Sequence, residues 1–184
     1  MPRRSGFDPV LQAYVDHLNW LFNSTISDSR LVLLELERES EFRQIVRFQD
    51  EARLPLELAP RGYLHFRQLV RRAGDHVEVS EARYVFSESA DPDDESAWVI
   101  RYEYDRAPEP GKPQAHLHVN AERRGESIKH VHFPTGRIST EQLIAHLILE
   151  HGIESAHPDT VKFLAESHKG FLHRRTDPEV EAFP

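Results

Sequence analysis

Four of the chain's 12 histidines stand at positions 116, 118, 130 and 132. They lie in the runs Ala115-His116-Leu117-His118-Val119-Asn120-Ala121 and Ser127-Ile128-Lys129-His130-Val131-His132-Phe133. Imidazole titrates near neutral pH and is the commonest metal-ligating side chain, so grouped histidines can hold a transition metal or move protons. On a strand, alternate residues share a face. Ala115, Leu117, Val119 and Ala121 therefore point one way with Val131 and Phe133, and the four histidines point the other. The intervening Glu122-Arg123-Arg124-Gly125-Glu126 suits a three-residue hairpin loop, Arg123 to Gly125, with Gly125 in the left-handed conformation. That loop sets Glu122 opposite Glu126, His118 opposite His130 and His116 opposite His132. A slip of one residue would set apolar positions against histidines.

Three readings of this face stand side by side. The histidines form a merely polar surface, or ligate a divalent transition metal, or act as metal-free general acid and base. Near them, Arg101 and Arg123 are candidates to bind an anion, and Lys129, on the apolar parity, is the weakest such candidate. Glu103 and Asp105 are candidates to orient an imidazole, as carboxylates do around metal-bound histidine. The turn Pro134-Thr135-Gly136-Arg137 offers amides to an anion ahead of a helix. His17, His146, His151 and His157 read as structural, His146 and His151 facing solvent or serving a helix end.

The elements that must position these residues follow from periodicity and capping. Asp8-Pro9 starts an amphipathic helix that ends at Asn23-Ser24. Leu31–Glu37 and Phe42–Gln49 read as a hairpin around Arg38–Glu41, with Phe42, Val46 and Phe48 on its apolar side. Leu54 to Pro60 reads as a proline-bounded loop, and Tyr63–Arg72 fits helix and strand equally. Val77–Phe86 is a strand with a bulge near Glu81. In Trp98–Tyr104 the alternation puts Trp98, Ile100, Tyr102 and Tyr104 on one face. Ala107 to Pro113 is a loop. Ser139-Thr140-Glu141-Gln142 is a capping box for a helix closed by His151-Gly152. A last helix, Asp159–Lys169, ends at Gly170. The expected fold is α+β: an N-terminal helix, an antiparallel strand meander and two C-terminal helices, in one domain over 1–170 with a loose tail at 171–184.

Composition removes several functions. The chain has 184 residues and no cysteine, which excludes disulfides, thiol catalysis and cysteine-ligated metals. Residues 1–72 hold 11 basic and 10 acidic side chains and residues 73–184 hold 12 and 21, giving the net −8. No basic stripe marks a nucleic-acid binder. No apolar run is long enough to cross a membrane, so a cytoplasmic protein is expected. GxSxG, Walker, GxGxxG and HExxH motifs are missing.

Tyr102-Glu103-Tyr104-Asp105, then His116-Leu117-His118, a phenylalanine and the helix Glu141–Leu149 together resemble TumE-like toxins of bacterial toxin–antitoxin systems. The lead into HxH is Pro113-Gln114-Ala115 here rather than glycine- and lysine-rich, and a helix and hairpin precede the similar part. The resemblance implies a growth-inhibiting or RNA-directed activity, and carries over His116 and His118 alone. Two functional expectations follow from the chain as a whole. One is a hydrolase of phosphodiester or phosphate-like substrates using His116, His118, His130 and His132. The other is a non-enzymatic module that meets a protein partner.

Overall fold

Asp8 accepts hydrogen bonds from the amides of Val10 and Leu11 at 2.9 and 3.2 Å, and Pro9 needs no partner at the first helical position. Helix α1 (Pro9–Asn23) follows, burying Leu11, Val15, Leu18, Leu21 and Phe22 along one stripe. This architecture comes from a computed structural model that describes residues 3–4, 8–36, 41–50 and 52–174. It is α+β, with three helices and a ten-stranded antiparallel sheet among those residues.

The sheet begins with β1 (Arg3–Arg4), β2 (Val32–Glu35) and β3 (Arg43–Gln49), the last two forming the expected hairpin. On β3, Ile45 joins the main cluster; of the expected apolar positions Val46 is also buried, at 3% exposed, while Phe42 and Phe48 are half-buried. The expected loop at 54–60 instead contributes two short strands, β4 (Ala52–Leu54) and β5 (Leu56–Glu57), on either side of Pro55. They fill the gap where β3 and β6 (Tyr63–Ala73) diverge, β4 pairing β3 and β5 pairing β6. Burial of Leu56 and Leu58 explains why this proline-broken stretch joins the sheet. The ambiguous 63–72 segment is therefore strand, anchored on both sides by β3 and by β7 (His76–Ser87). Between β6 and β7 the register shifts at Leu69/Val70, leaving Ser80 unpaired beside Glu81.

The meander continues through β8 (Trp98–Asp105), β9 (Ala115–Val119), a small hairpin of β10 (Glu122–Arg123) and β11 (Glu126–Ser127), and the edge strand β12 (Phe133–Pro134). Helix α2 (Thr140–His151) carries the full capping box of Ser139 and Gln142 and ends on left-handed Gly152, φ 66°. Helix α3 (Thr160–Arg174) runs through Gly170 instead of stopping there. A lone glycine lowers helix stability by only about 1 kcal/mol, too little to end a helix without a left-handed turn. The expected tail thus begins as helix at 171–174, and 175–184 lie outside the described residues.

All three helices join one cluster with Leu64, Phe66, Phe86, Ile100 and Ala115, so they cover a single sheet face. Phe22 meets Phe66 edge-to-face at 5.3 Å, and Phe66 stacks on Tyr84 at 4.9 Å. The opposite face carries Arg67, Glu81, Arg83, Arg101 and Glu103, with Arg67–Glu81 and Arg83–Glu103 paired across strands and Arg101–Glu103 along β8. No helix among the described residues is long and apolar enough to cross a membrane. Phe22→Ala should lower unfolding free energy by about 3–5 kcal/mol, and Asp8→Ala by about 1 kcal/mol. Urea titrations of the two variants check the ranking.

Candidate metal centre

The β8–β9 ladder sets Glu103 opposite His116, Arg101 opposite His118 and Tyr104 opposite Ala115. Directly opposed residues share a face. Hence His116 and His118 stand with Arg101 and Glu103 on the helix-free side, while Ala115 and Tyr104 enter the core. His116 and His118 are nevertheless 7% and 2% exposed. The segment leading from β11 to β12 covers them, bringing in the exposed His132.

Three of the four expected histidines meet. Ring centroids lie 5.0 Å apart for His116–His118, 4.5 Å for His116–His132 and 4.5 Å for His118–His132. One ligand nitrogen from each falls within 4.8 Å of the others. His130 does not belong: it is exposed in a turn closed by Val131 N–H donating to Ile128 O at 2.9 Å. The hairpin register explains its loss. Its loop has two residues, Arg124 and Gly125, both left-handed at φ 54° and 81°, so Glu122 faces Ser127 rather than Glu126. From there to β12 one side advances six residues and the other five, since Leu117 faces Phe133 and His116 faces Pro134. The turn at 128–131 absorbs the extra residue and carries His130 away. Val131 and Phe133, expected in the core, are 44% and 39% exposed.

The buried pair is held by its second hydrogen bonds. His116 Nε2 donates to Glu103 Oε2 at 3.2 Å, because an ionised carboxylate can only accept. His118 Nδ1 donates to the Lys129 carbonyl at 3.1 Å for the same reason. These bonds leave His116 Nδ1 and His118 Nε2 as acceptors, and both are buried without a hydrogen-bond partner. His118 Nε2 also lies 3.6 Å from Glu103 Oε2, lone pair toward lone pair. A cation or a proton is what such a contact calls for.

Charge around the centre is uneven. Glu103 Oε1 lies 3.3 Å from Arg101 Nε and 3.4 Å from Arg83 Nε, one carboxylate between two guanidiniums. Burial pushes the Glu103 carboxyl up, but Arg101, Arg83 and the imidazoles together outweigh it and hold it below the usual range. Burial, then Arg101, lowers His118; burial, then His116, lowers His132. Neutral imidazole is the ligand form.

The other expected site residues separate. Asp105 accepts from the Ala107 amide at 2.9 Å and turns the chain out of β8, so it orients no histidine. Pairing puts His116 level with Glu103, two residues short of Asp105. Arg123 lies in β10, and its side chain is outside the described residues. Lys129 serves through its carbonyl, while its ammonium is 3.7 Å from Glu95. Arg83 is a member that sequence reading missed; the β7–β8 pairing, which sets it opposite Glu103, is its signal. Thr135 and Arg137 line a cavity on the helix-covered side. His17 and His157 are exposed. His146 and His151 are half-buried, His146 against Tyr102 at 6.2 Å and His151 against Phe86 at 4.9 Å, and His151 stands in the last turn of α2, one of the two places expected for it.

No family model, curated protein or solved structure matches the chain. The centre is therefore judged on its own geometry. Structural tetrahedral zinc sites close all four positions, whereas three histidines leave one open for water or substrate.

Burial lowers His118, His146 and His151 below the ordinary histidine value. The unfolded chain then binds more protons than the folded one once pH drops below about 6.5. Stability present above that pH is lost as pH falls toward the folded values. Urea midpoints should fall between pH 7.5 and 5.5, and Arg101→Gln should raise the His118 titration seen by imidazole NMR. A flat midpoint across that window would contradict the assignment.

Proposed function

We propose that the chain is a cytoplasmic, metal-dependent hydrolase of phosphodiesters or related phosphate esters, with His116, His118 and His132 as ligands. The observation that carries this reading is the pair of buried imidazoles, tautomers set by Glu103 and the Lys129 carbonyl, whose remaining nitrogens lack partners beside a third imidazole. Carboxylate and carbonyl partners of this kind orient and strengthen metal-binding histidines. Imidazole donor sets suit zinc, copper, nickel and iron better than magnesium or calcium.

A bound divalent ion supplies Lewis acidity and lowers the pKa of coordinated water toward neutrality. The protein's own groups supply the rest. Arg101 and Arg83 share one carboxylate, which leaves the rim of the centre positive for an ester anion. Arg101 is braced over the Trp98 ring at 5.3 Å, so its guanidinium is held in place. Hydrolysis adds water across the P–O bond, the hydroxyl going to phosphorus and the proton to the leaving alcohol.

A second reading, a protein-interaction module of the toxin–antitoxin kind, draws support from Val131 and Phe133. These exposed apolar side chains flank His132 and would suit a partner surface. Metal binding separates the two. Protein purified without a histidine tag should bind one zinc ion per chain by calorimetry. His118→Ala and His132→Ala should each weaken binding by about 100-fold, and Glu103→Gln by about 10–100-fold. Hydrolysis of bis(p-nitrophenyl) phosphate by the loaded protein should drop to background in His118→Ala with the far-UV spectrum retained. Zinc-free wild-type protein that purifies with a bound polypeptide would favour the second reading.

A further inference from the structure

On the helix-covered side of the sheet, α1, α3 and the start of α2 border a cavity of about 1610 Å³. Protein interiors normally pack at the density of organic crystals, so a space of this size can take a guest. Polar groups on its sheet side are already paired with one another. Tyr14 O–H donates to Gln68 Oε1 at 3.0 Å, and Gln68 Nε2 donates to Tyr84 Oη at 2.6 Å. On the helix side the lining includes a hydroxyl with a base beside it, that of Ser139 at the N-cap of α2.

Ser139 Oγ lies 3.0 Å from His168 Nδ1 on α3, and the two residues are 3% and 2% exposed. The same oxygen accepts from the Gln142 amide at 3.2 Å. With neutral imidazole as acceptor, the Ser139 proton is donated to Nδ1 and the oxygen keeps one lone pair. A hydroxyl and a base in direct hydrogen bond are what serine acyl transfer requires. The base is fixed from the neighbouring residue, because Ser167 Oγ donates to Glu141 Oε1 at 2.9 Å and ties α3 to the first turn of α2.

Acyl transfer also needs donors for the oxyanion that forms on the attacked carbonyl. Ser139 N–H is taken by the Gln142 side chain at 3.0 Å, and Gln142 N–H by Ser139 Oγ. The other first-turn amides, those of Thr140 and Glu141, precede the first intrahelical bond, from Leu143 N–H to Ser139 O. Neither has an acceptor among the described residues. Both residues are 6% exposed and line the cavity next to Ser139.

The rest of the lining selects the substrate. Asp75, Glu78, Glu166 and, from the histidine centre, Glu103 place carboxylates there, which disfavours an anionic guest. Its guanidiniums are engaged, Arg106 at 3.7 Å from Glu78 and Arg137 over the Tyr104 ring at 4.8 Å. Leu18, Tyr102 and Phe163 add apolar wall.

We propose that Ser139 and His168 form a second catalytic site, on the helix-covered side, which hydrolyses uncharged carboxylic esters of apolar acids. Ser139 Oγ adds to the ester carbonyl as its proton passes to His168 Nδ1, and the Thr140 and Glu141 amides receive the oxyanion. Collapse breaks the bond to the alcohol, which leaves with the proton from His168. Water then gives its hydroxyl to the acyl carbon and a proton to His168. Release of the acid returns that proton to Ser139.

Treating the full chain with an alkyl fluorophosphonate, which phosphonylates activated serines with loss of fluoride, should place one adduct on Ser139 by peptide mass spectrometry. Hydrolysis of p-nitrophenyl butyrate should be saturable. Asparagine is a good N-cap without a hydroxyl. Ser139→Asn should therefore keep the far-UV spectrum and lose about 100-fold or more in rate, as should His168→Gln. EDTA should leave the rate unchanged, which separates this site from the metal reading. A serine that only caps α2 would give no adduct. Absence of the adduct, undiminished hydrolysis in Ser139→Asn, or loss of hydrolysis in EDTA would overturn the proposal. Labelling of the wild type keeps the test decisive should either variant fail to fold.

Discussion

The antiparallel pairing of β8 with β9 is the constraint on which both faces of the sheet depend. With Tyr102 opposite Leu117 and Tyr104 opposite Ala115, the core side gains aromatic and small side chains. The same register necessarily sets Glu103 against His116 and Arg101 against His118 on the other side. A slip of β9 by one residue would drive two imidazoles into the apolar cluster beneath α1 and α2. Burial of Ile100, Tyr104 and Ala115 therefore enforces the geometry of the histidine centre from behind.

Glu103 is the electrostatic hinge of that centre. It is shared by two guanidiniums and two imidazoles, and its Oε2 is the near neighbour of both Nε2 atoms. One proton satisfies the His116 contact. The His118 contact stays unsatisfied, because that ring spends its proton on the Lys129 carbonyl. Burial, then Arg101, opposes protonation of His118, which keeps its free nitrogen a lone-pair donor. A polar surface with no further role would be expected to resolve such a contact by rotating a ring or admitting solvent. Here, ring burial and the Lys129 hydrogen bond prevent rotation.

Much of this was legible from residue order. Period-two alternation placed His116, His118 and His132 on the non-core side, and the Ser139 capping box and Asp8-Pro9 start are local signals that tertiary structure does not overrule. The register was not legible. Arg124 gives no hint that it adopts a positive φ, so a three-residue loop looked equally sound and His130 was paired with His118. The placement of His130 depended on counting residues through a turn at 128–131 that the sequence does not announce. The prolines of 54–60 point to a loop because Pro55 breaks a strand, yet two strands can meet at a proline when different neighbours hold them. Arg83, Gln68 and the half-buried packing of His146 and His151 depend on contacts between elements distant in the chain, which periodicity does not carry.

The three ligand candidates divide the task unequally, and the division has a physical logic. His116 and His118 are buried, hydrogen-bonded through their second nitrogens and fixed to a central ladder. His132 is exposed and sits just before a two-residue edge strand, where few hydrogen bonds restrain the backbone. Tetrahedral binding with zinc–nitrogen bonds of about 2.0–2.1 Å brings ligand nitrogens to roughly 3.4 Å of one another. The three nitrogens lie within 4.8 Å of one another, close enough that small side-chain rotations would bring them to that spacing were an ion bound. Under the proposed reading, the buried pair would set the position of an ion and the exposed His132 would complete the site from the solvent side. That arrangement keeps the neutral, partner-free nitrogens poised without requiring the whole site to be built at full strain in the absence of the ion.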